Sequence, residues 1–167
     1  MRCGIRMSHK CFACGGSFVA VEGPTHKYML SSPGCWKAYG GVLAREYENP
    51  MLFGAVHRLT VDAYALQHPG DASGRRARQS VWVHYAALYL SLRNNEDHSR
   101  ISSIMQKLTL RTFPALPPAP AHFDVTLEDV LTQGETNHVS AVKAWADCAF
   151  HAWAELKDQT VAMLKSL

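Results

Sequence analysis

The amino-acid sequence predicts an all-α fold, a bundle of about five to six helices with a small irregular lobe at its N-terminal end. Two observations lead to this class. Apolar side chains recur at helical spacing through most of residues 35–167. Residues 1–34 are instead interrupted by glycine and proline too often for any long element to form. A segment so poor in regular structure needs another source of order.

The composition is typical of one globular domain. The chain has 167 residues, of which 47% are hydrophobic and 19% are charged. We therefore predict a single domain over residues 1–167, in which a lobe of residues 1–34 packs on a helical bundle of residues 35–167. The net charge of +3 neither requires nor excludes a nucleic-acid partner, because such binding depends on where the charges lie.

Cysteine usage and hydropathy predict the cellular compartment. The chain has five cysteines, and this odd number argues against a closed set of disulfide bonds. Its first residues contain no apolar run of signal-peptide length, and no stretch reaches the roughly 20 apolar residues of a membrane span. These patterns predict a cytoplasmic protein with reduced thiols and no membrane partner.

The first part of the bundle is predicted to be an α-helical hairpin. One helix begins near Ser32 and ends at Asn49, because Pro50 cannot continue it. A glycine pair at positions 40 and 41 weakens this helix and suggests close packing there. The second helix spans about residues 55–68. The apolar stripe of the first helix is formed by Trp36, Tyr39, Val42, Leu43 and Tyr47.

A helix over about residues 79–92 is apolar on nearly every face, which predicts a position in the middle of the bundle. Thr126 and Asp129 form a predicted capping box for a short helix that Gly134 ends. The remaining predicted elements are a short strand over 18–21, a helix over 99–108, a proline-rich connector over 113–120 and one long amphipathic helix over about 137–164.

The Cys11-x-x-Cys14 pair, followed by Gly15-Gly16, is typical of a zinc knuckle. Two thiolates at this spacing can reach one tetrahedral ion, while the glycines let the backbone turn its amides towards the sulfurs. The alternatives are a redox-active pair or a pattern without function. A redox pair usually opens a helix in a βαβ context, which this sequence lacks. We therefore predict that Zn²⁺ binds here and orders the lobe.

Cys35 is the predicted third ligand, because a helix start favours a thiolate; the alternative is a small buried hydrophobic residue. His57 and His68 share one helix face but stand about 16 Å apart along its axis, so both cannot bind one ion. In an antiparallel hairpin, position 68 lies opposite Cys35. The predicted ligands are therefore Cys11, Cys14, Cys35 and His68, with His26 as the alternative fourth ligand.

Four further polar residues stand in apolar surroundings, namely His57, Asp62, His84 and His138. The simplest interpretation is structural. His57 would be a capping or hydrogen-bonded histidine near a helix N-terminus. Asp62 would pair with Arg58 four residues before it, and His84 would bond to Asp62 or Tyr64. The alternative is a catalytic cluster of His57, Asp62 and His84, completed by His138.

Arg75, Arg76 and Arg78 form a basic cluster in a predicted polar loop. The simplest interpretation of this cluster is a solvated loop. The alternative is contact with phosphate or nucleic acid, which would require other basic residues on the same face.

Several blocks of this sequence resemble an uncharacterised bacterial family, known as a domain of unknown function. The blocks are CxxCG, GPTHxYM, SxPGCW, LAREY and HRLTVDAYAxQHPG, and they cover about residues 11–92. A weaker Ala-Val-x-x-Trp-Ala pattern lies near residues 141–146. The resemblance implies no activity or substrate. It implies that five residues fall in recurring motifs, namely Cys11, Cys14, Cys35, His57 and His68.

The leading functional hypothesis is a zinc-binding helical protein, a binding or regulatory module in which the metal is structural. The competing hypothesis is a metal-assisted hydrolase that uses His57, Asp62, His84 and His138. A deep pocket lined by these four residues would favour the enzyme, and a dry, mutually satisfied cluster would favour the module.

Overall fold

A computed structural model describes residues 7–167 and confirms the all-α class. Residues 1–6, with Cys3 and the first part of the predicted lobe, lie outside the described residues. Over residues 7–167 the chain forms one antiparallel strand pair, seven α-helices and a 3-10 turn at Ala154–Leu156. The elements are β1 (Ser8–Lys10), β2 (Ser17–Val19), α1 (Pro33–Glu48), α2 (Pro50–Gln67), α3 (Arg75–Arg93), α4 (His98–Thr109), α5 (Leu127–Thr132), α6 (His138–Ala152) and α7 (Lys157–Lys165).

No helix within residues 7–167 combines the length and the apolar character that crossing a membrane requires.

The predicted helical hairpin is formed by α1 and α2. The Ser32 hydroxyl accepts a hydrogen bond from the Cys35 amide and caps α1, whose first residue is Pro33. Asn49 ends α1, and its side-chain oxygen accepts hydrogen bonds from the amides of Met51 and Leu52. Because this cap follows α1 directly, α2 begins at Pro50, about five residues earlier than predicted.

Helix α3 also begins earlier than predicted. The prediction placed Arg75, Arg76 and Arg78 in a polar loop, and this prediction is wrong. The structure places all three in the first turns of α3, after a Gly74 cap that provides no side-chain hydrogen bond. The arginines are good helix formers, so the helix extends outward beyond the apolar segment that had indicated it.

The predicted long C-terminal helix is broken into α6 and α7, so the prediction of one element is wrong there. Trp153 ends α6 with backbone angles of φ −106° and ψ 29°. Its buried indole donates a hydrogen bond to the carbonyl oxygen of Leu66 at 2.9 Å. This long-range bond accompanies the break and directs the chain into the 3-10 turn and α7.

Helix α2 lies at the centre of the bundle and packs against α1, α3 and α6. Its C-terminal end is held by polar contacts as well as by apolar packing. The buried amide of Gln67 donates to the carbonyl of Val125 at 2.7 Å and accepts from the indole of Trp145 at 2.9 Å. Together with the Trp153–Leu66 bond, these contacts position the residue that follows α2.

The strand pair packs against the start of α1. Its register pairs Ser8 with Val19 and Lys10 with Ser17, so the segment between the strands forms the turn that holds Cys11 and Cys14. The amide of Ser17 donates to the carboxylate of Glu128 in α5 at 2.8 Å. The strand pair thus contacts the bundle at α1 and at α5.

Gly34 lets the lobe approach α1 closely, and we expect Gly34→Ala to destabilise the protein. A Cβ atom at this position would lie 2.3 Å from the backbone oxygen of Val19, and a backbone atom in a paired strand cannot move aside cheaply. The expected loss is about 1–3 kcal/mol in the free energy of unfolding, measured by urea denaturation.

Gly40→Ala is the matched control within the same helix. The prediction of close packing at positions 40 and 41 is wrong, because apart from the adjacent helix backbone no heavy atom lies within 4 Å of a Cβ built at either glycine. Gly40→Ala should therefore raise stability by about 0.5–1 kcal/mol. Equal effects of the two substitutions would contradict the close approach at Gly34.

Candidate metal centre

Three separate parts of the chain bring four side chains to one place. Cys11 and Cys14 lie on the turn between β1 and β2, Cys35 lies in the first turn of α1, and His68 is the C-cap residue of α2. All four residues are at most 3% exposed. One ligand atom from each residue lies within 4.8 Å of the other three, and the group could hold a metal ion.

The individual distances are those of groups that face a common centre. The Sγ atom of Cys11 lies 3.7 Å from Nε2 of His68, and Sγ of Cys35 lies 3.4 Å from the same nitrogen. The sulfurs of Cys14 and Cys35 are 4.0 Å apart. Ligand atoms of a tetrahedral zinc site are separated by a similar amount, since each lies about 2.0–2.3 Å from the ion.

The turn between the strands has the backbone geometry of a knuckle. The Gly15 amide donates to the carbonyl of Cys11, and the Cys11 amide donates to the carbonyl of Gly16, each at 2.8 Å. Gly15 has a φ of 82°, a conformation that favours glycine. The amide of Ser32 also points at Sγ of Cys11, at 3.4 Å, and would stabilise a thiolate there.

His68 is oriented by contacts on its other side. Its Nδ1 lies 2.7 Å from the carbonyl oxygen of Tyr64, so Nδ1–H donates this hydrogen bond and Nε2 presents its lone pair to the sulfurs. The imidazole stacks on the ring of Tyr64, which in turn stacks on Tyr39. The Tyr64 hydroxyl donates to Ser31 at 2.8 Å. This second layer of contacts fixes the tautomer and the plane of the ring.

The electrostatics of the pocket favour one thiolate in the absence of a cation. Hydrogen bonds from the Cys14 and Cys35 side chains hold the pKa of Cys11 far below its usual range. The same interaction with Cys11 raises the pKa of Cys14 to about 12 and strongly raises the pKa of Cys35. Burial is the largest cause of the raised pKa of Tyr64. A divalent cation would compensate the charge of further thiolates.

His26, the alternative fourth ligand, lies outside this group. Its Nδ1 accepts hydrogen bonds from the amides of Tyr28 and Met29, at 3.4 and 3.2 Å. Its ring packs against Tyr28 and Trp36, and burial lowers the pKa of its imidazole. His26 therefore organises the loop before α1.

A second polar group lies in the bundle and centres on Glu46, which is fully buried. One carboxylate oxygen accepts from the hydroxyl of Thr60 at 2.6 Å and lies 2.8 Å from Nε2 of His138. The other oxygen lies 2.8 Å from Nδ1 of His57. This network joins α1, α2 and α6. His57 is thus a hydrogen-bonded histidine, one of the two forms of the structural interpretation, and its partner is a buried carboxylate.

Asp62 and His84 form a separate pair between α2 and α3. Oδ1 of Asp62 lies 2.7 Å from Nδ1 of His84, so Asp62 is the partner of His84 among the two predicted, Asp62 and Tyr64. The predicted Asp62–Arg58 pair is wrong, because the Arg58 guanidinium instead contacts Ser102 at 2.7 Å and Met105 at 2.8 Å, both in α4. The four catalytic candidates therefore divide into two hydrogen-bonded groups, with His57 and His138 in one and Asp62 and His84 in the other.

Glu46 was not identified from the sequence as a buried residue, although its spacing from the apolar residues of α1 indicates burial. It lies four residues after Val42 and seven after Tyr39, on the buried face of α1. The predicted stripe used Tyr47 instead, and the structure shows Tyr47 to be 66% exposed. A carboxylate at an i+7 position of an apolar stripe indicates a buried polar partner, because an unpaired charge there would be too costly.

The fold and the site define a class: a helical-bundle protein in which three cysteines and one histidine from separate elements form a buried cluster that could hold a metal ion. The chain belongs to a family of unknown function (DUF5946), whose model matches residues 9–154. No curated protein and no solved structure matches the chain.

Proposed function

We propose that Cys11, Cys14, Cys35 and His68 bind one Zn²⁺ ion with a structural role. The observation that carries this proposal is the convergence of the four ligand atoms within 4.8 Å in a buried pocket. Buried polar groups are normally satisfied by partners. Here the strongest available partner for three sulfurs and an imidazole nitrogen is a tetrahedral cation.

The donor set favours zinc over other metals. Thiolates are soft ligands that select Zn²⁺, Cu⁺ or iron–sulfur clusters, whereas Mg²⁺ and Ca²⁺ require oxygen ligands. An imidazole that completes three cysteines is one of the usual structural zinc sets. The carbonyl of Tyr64, which accepts from Nδ1 of His68, supplies the outer hydrogen bond that such histidines make.

A structural role follows from the number and position of the ligands. Four protein ligands complete a tetrahedral shell and leave no position for substrate. They also join the β1–β2 turn, the start of α1 and the end of α2, which are up to 57 residues apart along the chain. The ion would therefore tie the lobe to the bundle, and the protein would act as a metal-stabilised binding or regulatory module.

Elemental analysis of the purified protein tests this function, with one equivalent of zinc expected. Cys11→Ser and His68→Ala should each lose most of the metal, because each removes a ligand from a four-ligand site. Cys148→Ser is the matched control, since Cys148 lies outside the cluster and should be dispensable for metal binding. Retention of a full equivalent by both ligand variants would contradict the proposed set.

A further inference from the structure

A surface cleft of about 230 Å³ lies beside the Asp62–His84 pair and is separate from the proposed zinc site. One face of α3 forms most of its wall. Arg76, Ser80 and His84 follow one another at four-residue steps along this face, over about 12 Å of the helix axis. The remaining lining residues are Tyr28, Gln79, Val83 and Thr109.

His84 is arranged as a hydrogen-bond acceptor at one end of the cleft. Asp62 is buried in α2 and occupies Nδ1 of the imidazole at 2.7 Å. Because Nδ1–H donates to this carboxylate, the lone pair of the ring is on Nε2. The His84 side chain is 19% exposed and lines the cleft, and no described residue forms a hydrogen bond with its Nε2.

The other end of the cleft is positively charged. Arg76 is exposed and, among the described residues, forms no salt bridge. It lies in the first turn of α3, where Gly74 leaves backbone amides without a side-chain cap. A guanidinium group without a carboxylate partner favours an oxyanion such as phosphate or carboxylate.

One residue of the cleft wall, Ser80, has a side-chain hydroxyl without a hydrogen-bond partner among the described residues. The Ser80 hydroxyl is buried without a partner, and its residue, at 7% exposed, lines the cleft. The second carboxylate oxygen of Asp62 is also buried without a partner, behind His84 and not on the cleft wall. An uncompensated polar atom is costly in a helix that is otherwise apolar, so the Ser80 hydroxyl on the cleft wall is available to a partner.

The geometry points to a binding site for a small organic oxyanion. Its charged group pairs with Arg76, and a hydroxyl group of the same molecule donates a hydrogen bond to Nε2 of His84, which Asp62 holds in the required tautomer. Between its contacts with Arg76 and His84, the ligand lies across the helical turn of α3 that contains Ser80. Asp62 positions the imidazole and does not itself touch the ligand.

Ribose 5-phosphate is a suitable probe because it joins an oxyanion to several hydroxyl groups, and inorganic phosphate and ribose serve as its separate halves. Binding to the metal-loaded protein is followed in side-chain ¹H–¹⁵N NMR spectra of the histidines. We expect His84 to be in the Nδ1–H form and its Nε2 signal to shift saturably with ribose 5-phosphate. Each half alone should bind at least about tenfold more weakly, a difference of about 1.4 kcal/mol.

Arg76→Gln and Arg78→Gln form a matched pair of variants for the same titration. Both remove one charge near the start of α3, but only Arg76 lines the cleft. Arg76→Gln should weaken the binding of ribose 5-phosphate by about tenfold, and Arg78→Gln should weaken it by less than about twofold. An equal loss in both variants, or a His84 signal that does not move with the probe, would overturn the site. If the Asp62–His84 pair has only a structural role, the His84 signal should not move with the probe.

Discussion

Removing the proposed Zn²⁺ from the centre formed by Cys11, Cys14, Cys35 and His68 is expected to lower the free energy of unfolding by at least about 4 kcal/mol. This is the stabilisation from a ligand present at about a thousand times its dissociation constant. The strand pair is short and loop-connected, and it cannot replace this tie by packing alone. Urea denaturation with and without a zinc chelator measures the change.

The loss of stability after metal removal should be largest in the lobe. Hydrogen exchange at residues 8–35 should become fast on chelation, while the buried centres of α2 and α3 retain protection. Added Zn²⁺ should restore both stability and protection. The Cys148→Ser protein provides the control, because chelation should affect it as strongly as the unaltered chain. A lobe that stays protected and a midpoint that does not move after complete metal removal would contradict the structural role.

Replacing Glu46 by alanine is expected to destabilise the protein by about 3–5 kcal/mol, the usual cost of removing one partner from a buried charged group. The substitution leaves His57, Thr60 and His138 without their shared acceptor, and Thr60 and His138 are fully buried. His138 already has one buried nitrogen without a partner, so it would lose its remaining side-chain hydrogen bond. Thermal and urea unfolding followed by circular dichroism measure the loss.

Two further variants distinguish loss of the Glu46 hydrogen bonds from a general effect of substitution in α1. Glu46→Gln keeps the shape and one acceptor oxygen but turns the other position into a donor, so one imidazole must change tautomer. It should cost about 1–3 kcal/mol. Glu48→Ala removes an exposed carboxylate two residues away and should change stability by less than about 0.5 kcal/mol. A Glu46→Ala protein as stable as the Glu48→Ala protein would show that the network does not hold the three helices together.

Helix caps and turns were predictable because their chemistry is local. Ser32 and Asn49 occur where the structure has its caps, and Thr126 and Asp129 form the predicted capping box. Gly134 has the positive φ, 72°, expected of a residue that ends a helix. Errors arose where local signals were weak. The arginines at the start of α3 are not part of an apolar pattern with helical spacing. The break at Trp153 accompanies a hydrogen bond to a carbonyl 87 residues away.

The four-residue cluster could be predicted because it combines local and topological information. The knuckle spacing of Cys11 and Cys14 is a local pattern, and Asn49-Pro50 indicates a hairpin turn. Counting residues from that turn placed His68 opposite Cys35, and the structure brings these two residues to 3.4 Å. The same counting separated His57 from the cluster.

What the sequence by itself determined was therefore the helical class, most helix ends and the residues that meet at the cluster, since each depends on spacing within one element or across one turn. Only the tertiary structure decided which buried polar groups pair. Glu46 meets His138 across 92 residues, and Asp62 meets His84 although Arg58 lies on its own helix. The free energy of such pairs depends on how whole helices pack, because burial makes a partner necessary and packing alone selects it.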